Sequence, residues 1–78
     1  MANKKLYTVP ISKERFIETV HSLGWSIRDL GKNTYIDRTE KTIRRCLNNG
    51  EISPYLLSKI ASVMNIKEDL LYELVSPF

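Results

Sequence analysis

Arg38, Lys41, Arg44 and Arg45 fall within eight consecutive residues that contain one carboxylate, Glu40, and this stretch carries a net charge of +3, equal to that of the whole 78-residue chain. Cations at this density neutralise phosphates, and arginine also donates bidentately to the edge of guanine, as asparagine does to adenine. Asn48 lies three residues further on. On a helical wheel of about 100° per residue, Ile43, Cys46 and Leu47 make one narrow apolar stripe. Arg38, Lys41, Arg45 and Asn48 point the opposite way, with Thr42 and Arg44 on the flanks. A helix face that only needs to be solvated usually mixes signs. The expectation is a helix over residues 37–48 that fits a major groove about 12 Å wide, with Arg38, Lys41, Thr42, Arg44, Arg45 and Asn48 reaching bases.

Other chemistry is poorly represented. The single histidine, His21, has no partner acid or nucleophile pattern, and the single cysteine, Cys46, excludes an internal disulfide. Neither sits at a metal-ligand spacing, so no metal, no cofactor and no enzymatic activity are expected. Cys46 belongs to the apolar stripe and is read as a core residue. Residues 67–78 carry a net charge of −2, so the chain has a basic middle and an acidic end. Apolar residues are 42% and charged residues 27% of the chain, a globular balance. No stretch approaches the roughly 18 apolar residues of a spanning helix, and no signal-like run follows Met1–Lys5, so a cytoplasmic protein without a membrane partner is expected.

The elements that must position the basic stretch can be read from their ends. Only Leu6–Ile11 alternates like a strand, and Pro10 makes it an arm or edge strand. Lys4 and Lys5 read as a solvated terminus rather than an arm along nucleic acid. Ser12 caps a first helix, with Ile11 stapled to Phe16, and Gly24 stops it. Ser26 and Asp29 form a capping box for a short second helix ending near Asn33. A break over Asn33–Tyr35 precedes a second candidate box, Asp37 with Glu40, so the third helix starts at Asp37 or at Thr39 and ends at Asn49-Gly50. Ser53-Pro54 opens a fourth helix, whose Leu56, Leu57, Ile60, Ala61 and Met64 make it the main core element. Asn65 ends it, and Lys67–Val75 forms a fifth helix. The expected core is Phe16, Ile17, Val20, Leu23, Leu30, Ile43, Leu47, Leu56, Leu57, Ile60, Met64 and Leu70. The expected organisation is an arm over 1–11, one all-α domain over 12–75 and a tail over 76–78.

Three segments carry a resemblance: Ser26-Ile27-Arg28-Asp29-Leu30-Gly31, Thr42-Ile43-Arg44-Arg45-Cys46-Leu47-Asn48-Asn49-Gly50, and Leu56-Leu57-Ser58-Lys59-Ile60-Ala61. Together they resemble the Cro/repressor-like helix-turn-helix family, over about two-thirds of the chain. The resemblance implies a compact five-helix, lambda-repressor-like domain that binds operator-like double-stranded DNA, commonly as a dimer, in transcriptional control. It implies phosphate contacts at the starts of the second and fourth helices, which here are Ser26, Arg28, Asn49, Ser53 and Tyr55, with Lys32 a further one. The chain departs from the family in three ways. Ile27 stands where a glutamine is usual, Gly31 replaces a small alanine, and the connection from Gly31 to Ile43 is about two residues longer.

Tyr72, Val75 and Phe78 remain apolar beyond the leucines assigned to the core, and are expected to form a homodimer interface, with an inverted repeat as the DNA site. The competing reading is a protein-interaction module or antitoxin-like adaptor of the same fold. The basic outer face of the third helix favours DNA.

Overall fold

A computed structural model of the chain describes residues 7–78, so Lys4, Lys5 and Leu6 lie outside the described residues. Among these, two short strands and five helices occur in the order β1 (Val9–Pro10), α1 (Lys13–Ser22), α2 (Ile27–Lys32), α3 (Glu40–Asn49), β2 (Glu51–Ile52), α4 (Pro54–Val63) and α5 (Glu68–Val75). The all-α expectation holds for the bulk of the chain, with a small sheet added.

Most helices start where a hydroxyl satisfies an orphan backbone N–H. Ser12 accepts from the Arg15 amide, and buried Ile11 and Phe16 flank that cap as a staple. The Ser26–Asp29 box closes in both directions at 3.1 Å. Ser53 accepts from Leu56 behind Pro54. α5 begins at Lys67 with no side-chain cap, and Glu68 and Asp69 face its N-terminal dipole instead. α3 ends at Gly50, whose φ of 77° is the left-handed stop that a side chain would strain.

The second candidate box does not form. Asp37 has a φ of 59° and cannot be the extended N-cap residue of a helix, so Thr39 is the cap and α3 covers 40–49 rather than 37–48. Arg38 therefore belongs to the preceding loop.

β1 and β2 pair antiparallel, with Val9 opposite Ile52 and Pro10 opposite Glu51. The Ile11 amide continues the contact to the Gly50 carbonyl at 2.9 Å, and the Thr8 hydroxyl reaches the Glu51 carboxylate. The next amide, Ser12, donates to the Val75 carbonyl at 2.8 Å, which joins the end of α5 to the start of α1. The folded body thus includes Val9–Ile11, and of the two expectations for this segment, an arm or an edge strand, the structure has the strand.

Phe16, Val20, Leu30, Ile36, Ile43, Ile52, Ile60, Leu71 and Val75 are fully buried in one cluster. Among the expected core positions, Ile17 is only partly buried, and Leu23 is 40% and Leu70 46% exposed; Leu74, one turn after Leu70, is 42% exposed. Leu23 caps the end of α1 and lies past the helical stripe. In α5 the inward face is Leu71 and Val75, four residues apart, which turns Leu70 and Leu74 about 100° outward.

Candidate nucleic-acid interface

α2 and α3 pack against each other more extensively than any other pair of elements. Their closest approach is Gly31. A Cβ there would stand 2.5 Å from the Glu40 nitrogen and 2.6 Å from its Cα, so the first residue of α3 rests on bare backbone. A side chain at position 31 would have to displace this backbone. α3 is then anchored by two buried side chains, Ile43 and Leu47, and by its cap, in which Thr39 accepts from the Thr42 amide at 3.2 Å and its hydroxyl meets that of Thr42 at 3.1 Å. Half-buried Cys46 packs against the core. Burial pushes its thiol above the ordinary value, against the opposing pull of Arg45 and Arg38, so at neutral pH it is a neutral filler.

The expected contact residues divide between two flanks of α3. On one, Arg38, Thr42, Arg45, Asn49 and Ser53 line a single cleft of about 330 Å³, together with apolar Cys46, Ile52 and Leu56 and with Thr8 and the carboxylate-bearing Glu51 to which it is hydrogen-bonded. Three segments supply the expected contact residues among these: the loop, α3 and the turn into α4. Arg38 donates to the Asp37 carbonyl at 2.7 Å, pairs with its carboxylate at 3.7 Å, and lies 5.9 Å from the ring centre of Tyr55. Tyr55 is exposed beside it.

On the opposite flank the side chains are already engaged. Arg44 Nε pairs with Glu40 at 2.9 Å, one helical turn away. Lys13, from the start of α1, donates to Asn48 Oδ1 at 2.8 Å, and these residues with Arg44 line a notch of about 110 Å³. A bidentate grip on adenine needs both the oxygen and the nitrogen of the asparagine amide. Asn48 is thereby a poorer reader than its place on the wheel indicates. Lys13 was missed by sequence reasoning, because nothing local to α1 marks a side chain that reaches α3. Lys41 is exposed on the crown between the flanks.

On α2, Arg28 and Lys32 are exposed, whereas the Ser26 hydroxyl is committed to its capping box. Lys32 shares a shallow surface with Asp37, Arg38 and Thr39. Of the three residues expected at a dimer interface, Tyr72 and Phe78 are exposed, but Val75 is fully buried and is a core residue of the single chain. Arg15 donates to the carbonyls of Ser76 at 2.9 Å and Phe78 at 3.3 Å, so the tail backbone lies along α1 while the Phe78 ring stays 88% exposed.

Among the described residues no cluster of His, Cys, Asp and Glu could hold a metal ion, and no helix is long and apolar enough to cross a membrane. Comparison with known proteins found no matching family model, no matching curated protein and no matching solved structure.

Proposed function

We propose that the chain is a sequence-specific, double-stranded DNA-binding transcriptional regulator of repressor-like, lambda-repressor-like helix-turn-helix type. In this reading α2 and α3 form the motif and α3 lies in the major groove. The observation that carries the reading is the cleft where Arg38, Thr42, Arg45, Asn49 and Ser53 converge. Donors from the loop, α3 and the turn into α4 line one concave surface beside a helix whose outer side is basic, and the one carboxylate there, Glu51, accepts from Thr8. A merely solvated face has no reason to gather them.

The geometry ranks the contacts. Among the described residues Arg45 and Lys41 have no ion-pair partner, whereas Arg44 is held by Glu40. Arg45 is therefore the principal base reader, with Lys41 beside it. Arg28, Lys32 and Tyr55 lie to the sides, where the phosphates of a bound duplex would pass.

Selecting duplexes from a random pool and titrating them against salt tests this. Arg45→Ala should cost about 1–3 kcal/mol on the selected site and relax the preference at one base pair. Lys32→Ala or Arg28→Ala should weaken all duplexes alike and reduce the salt slope by about 0.9. If alanine at Lys41, Arg44 and Arg45 leaves the ratio of specific to random affinity unchanged, α3 is not the reader.

The exposed Leu70 and Leu74 on one flank of α5, with the exposed Phe78 of the tail, favour pairing with a second copy. A two-fold pair would read half-sites about one helical turn apart in an inverted repeat. Sedimentation that finds only monomers, free and on a selected duplex, disposes of the pairing. The same apolar side is what an interaction module of this fold would use, and that reading takes over if no duplex is selected.

A further inference from the structure

The loop 33–39 that leads into α3 is longer than the turn the motif usually has, and it must hold a single shape if α3 is to present the same side chains each time. Its own bonds are few. The Tyr35 amide donates to Asn33 Oδ1 at 2.9 Å, the Ile36 amide to the Asn33 carbonyl at 3.2 Å, and Ile36 is buried. The remaining hold comes from α4. Lys59 Nζ donates to the Tyr35 carbonyl at 3.2 Å and lies over two aromatic rings, 4.5 Å from the centre of Tyr35 and 5.2 Å from that of Tyr55. The Arg38 guanidinium lies near the other end of the chain of contacts, over Tyr55. The loop is thus tied to α4 at two points, Tyr35 through Lys59 and Arg38 through Tyr55, and Lys59 also packs on the Tyr55 ring that Arg38 meets.

We propose that Lys59 is a positioning residue for sequence reading: held between Tyr35 and Tyr55, it fixes the loop and places Arg38 at the reading cleft, without itself touching DNA. The inference rests on the DNA-reading proposal and adds to it the residue that sets its discrimination. The cation attracts each ring face through the ring's quadrupole, and its N–H donation to the carbonyl is charge-assisted. Together these bias the loop by a factor on the order of ten in population. A phosphate contact is the competing role for a lysine here. The two differ in their salt dependence, because only a phosphate contact releases counterions.

The test compares the wild type with Lys59→Met, Tyr35→Ala and Tyr35→Phe, titrating a duplex selected from a random pool and a random duplex of equal length across salt. Lys59→Met keeps the stem and removes the charge. Tyr35→Ala and Tyr35→Phe alter a side chain that is mostly exposed, so the fold survives them. The expected result is a loss of about tenfold in the ratio of selected to random affinity for Lys59→Met and Tyr35→Ala, with an unchanged salt slope. Tyr35→Phe should keep the wild-type ratio, since it retains the ring and the carbonyl. Amide exchange at Ile36 should rise by a similar factor in Lys59→Met without DNA. An equal fall on both duplexes with a slope smaller by about 0.9 would make Lys59 a phosphate contact and overturn the proposal. So would an unchanged ratio in Lys59→Met beside a wild type that discriminates. A wild type with no preference between duplexes sinks the reading of α3 itself, and is recognised by that before any variant is measured.

Discussion

α3 and α4 are both ten-residue helices opened by a hydroxyl cap, yet they are held in place by different means. α4 buries Leu56, Leu57, Ile60 and Ala61, and its position is set by the core. α3 buries only Ile43 and Leu47, and depends on Thr39, on the bare backbone of Gly31 and on the loop before it. A helix that leaves most of its surface exposed cannot also be fixed by burial. Its position is then assigned to its ends, where single residues matter.

The comparison breaks most sharply at the buried helix. Ile60→Ala removes a fully buried side chain and should cost about 2–4 kcal/mol in chemical denaturation. A loss below about 0.5 kcal/mol would mean that α4 is not the core element described. Gly31→Ala tests the end-fixing of α3. The added methyl meets Glu40 backbone rather than a flexible side chain, so about 1–3 kcal/mol should be lost despite alanine's better helix propensity. A stabilised variant would show that the two helices are not in close contact there.

Smaller effects sharpen the same contrast. Thr39→Ala removes the cap of α3 and should lower stability by about 1 kcal/mol, with the fraying confined to amides of the first turn in hydrogen exchange. Equal protection in both forms would shift the anchoring of α3 to its buried pair alone. At the bottom of the scale is the Glu40–Arg44 pair, exposed and one turn apart. A double-mutant cycle should find about 0.3–0.5 kcal/mol, weakening with salt. A coupling several times larger would make that pair a structural element of α3 rather than a surface contact.

Cap signals were legible because they are local. Ser12, Ser26 and Ser53 each accept from a backbone amide three residues on, and a spacing of three can be read from any sequence. Asp37 with Glu40 had the same spacing, and failed because the left-handed backbone at Asp37 cannot serve as an extended cap. Within the candidate site, Arg45, Thr42 and Lys41 could be placed from the helical period alone. The engagement of Asn48 by Lys13, the laying of Arg38 over Tyr55 and the tie through Lys59 could not. Apart from the Tyr55–Lys59 contact one turn along α4, these join residues 17 to 35 positions apart, and no periodic pattern marks such pairs.

The sequence by itself determined five helices, the serine caps of α1, α2 and α4, the glycine stop of α3, the main core helix and the basic outer side of α3, because each follows from spacing within one or two turns. Tertiary structure alone chose between equal alternatives. In α5 the adjacent rows Leu70–Leu74 and Leu71–Val75 are both apolar, and packing against α1 and α4 buried the second. Glu51–Ile52 became a strand only because Val9–Pro10 was brought alongside it. Gly31, a weak helix former in sequence, proved to be the point where two helices touch. The physical reason is the same in each case. Local hydrogen bonding is decided by neighbours in the chain, whereas burial and close approach are decided by whichever distant segment arrives.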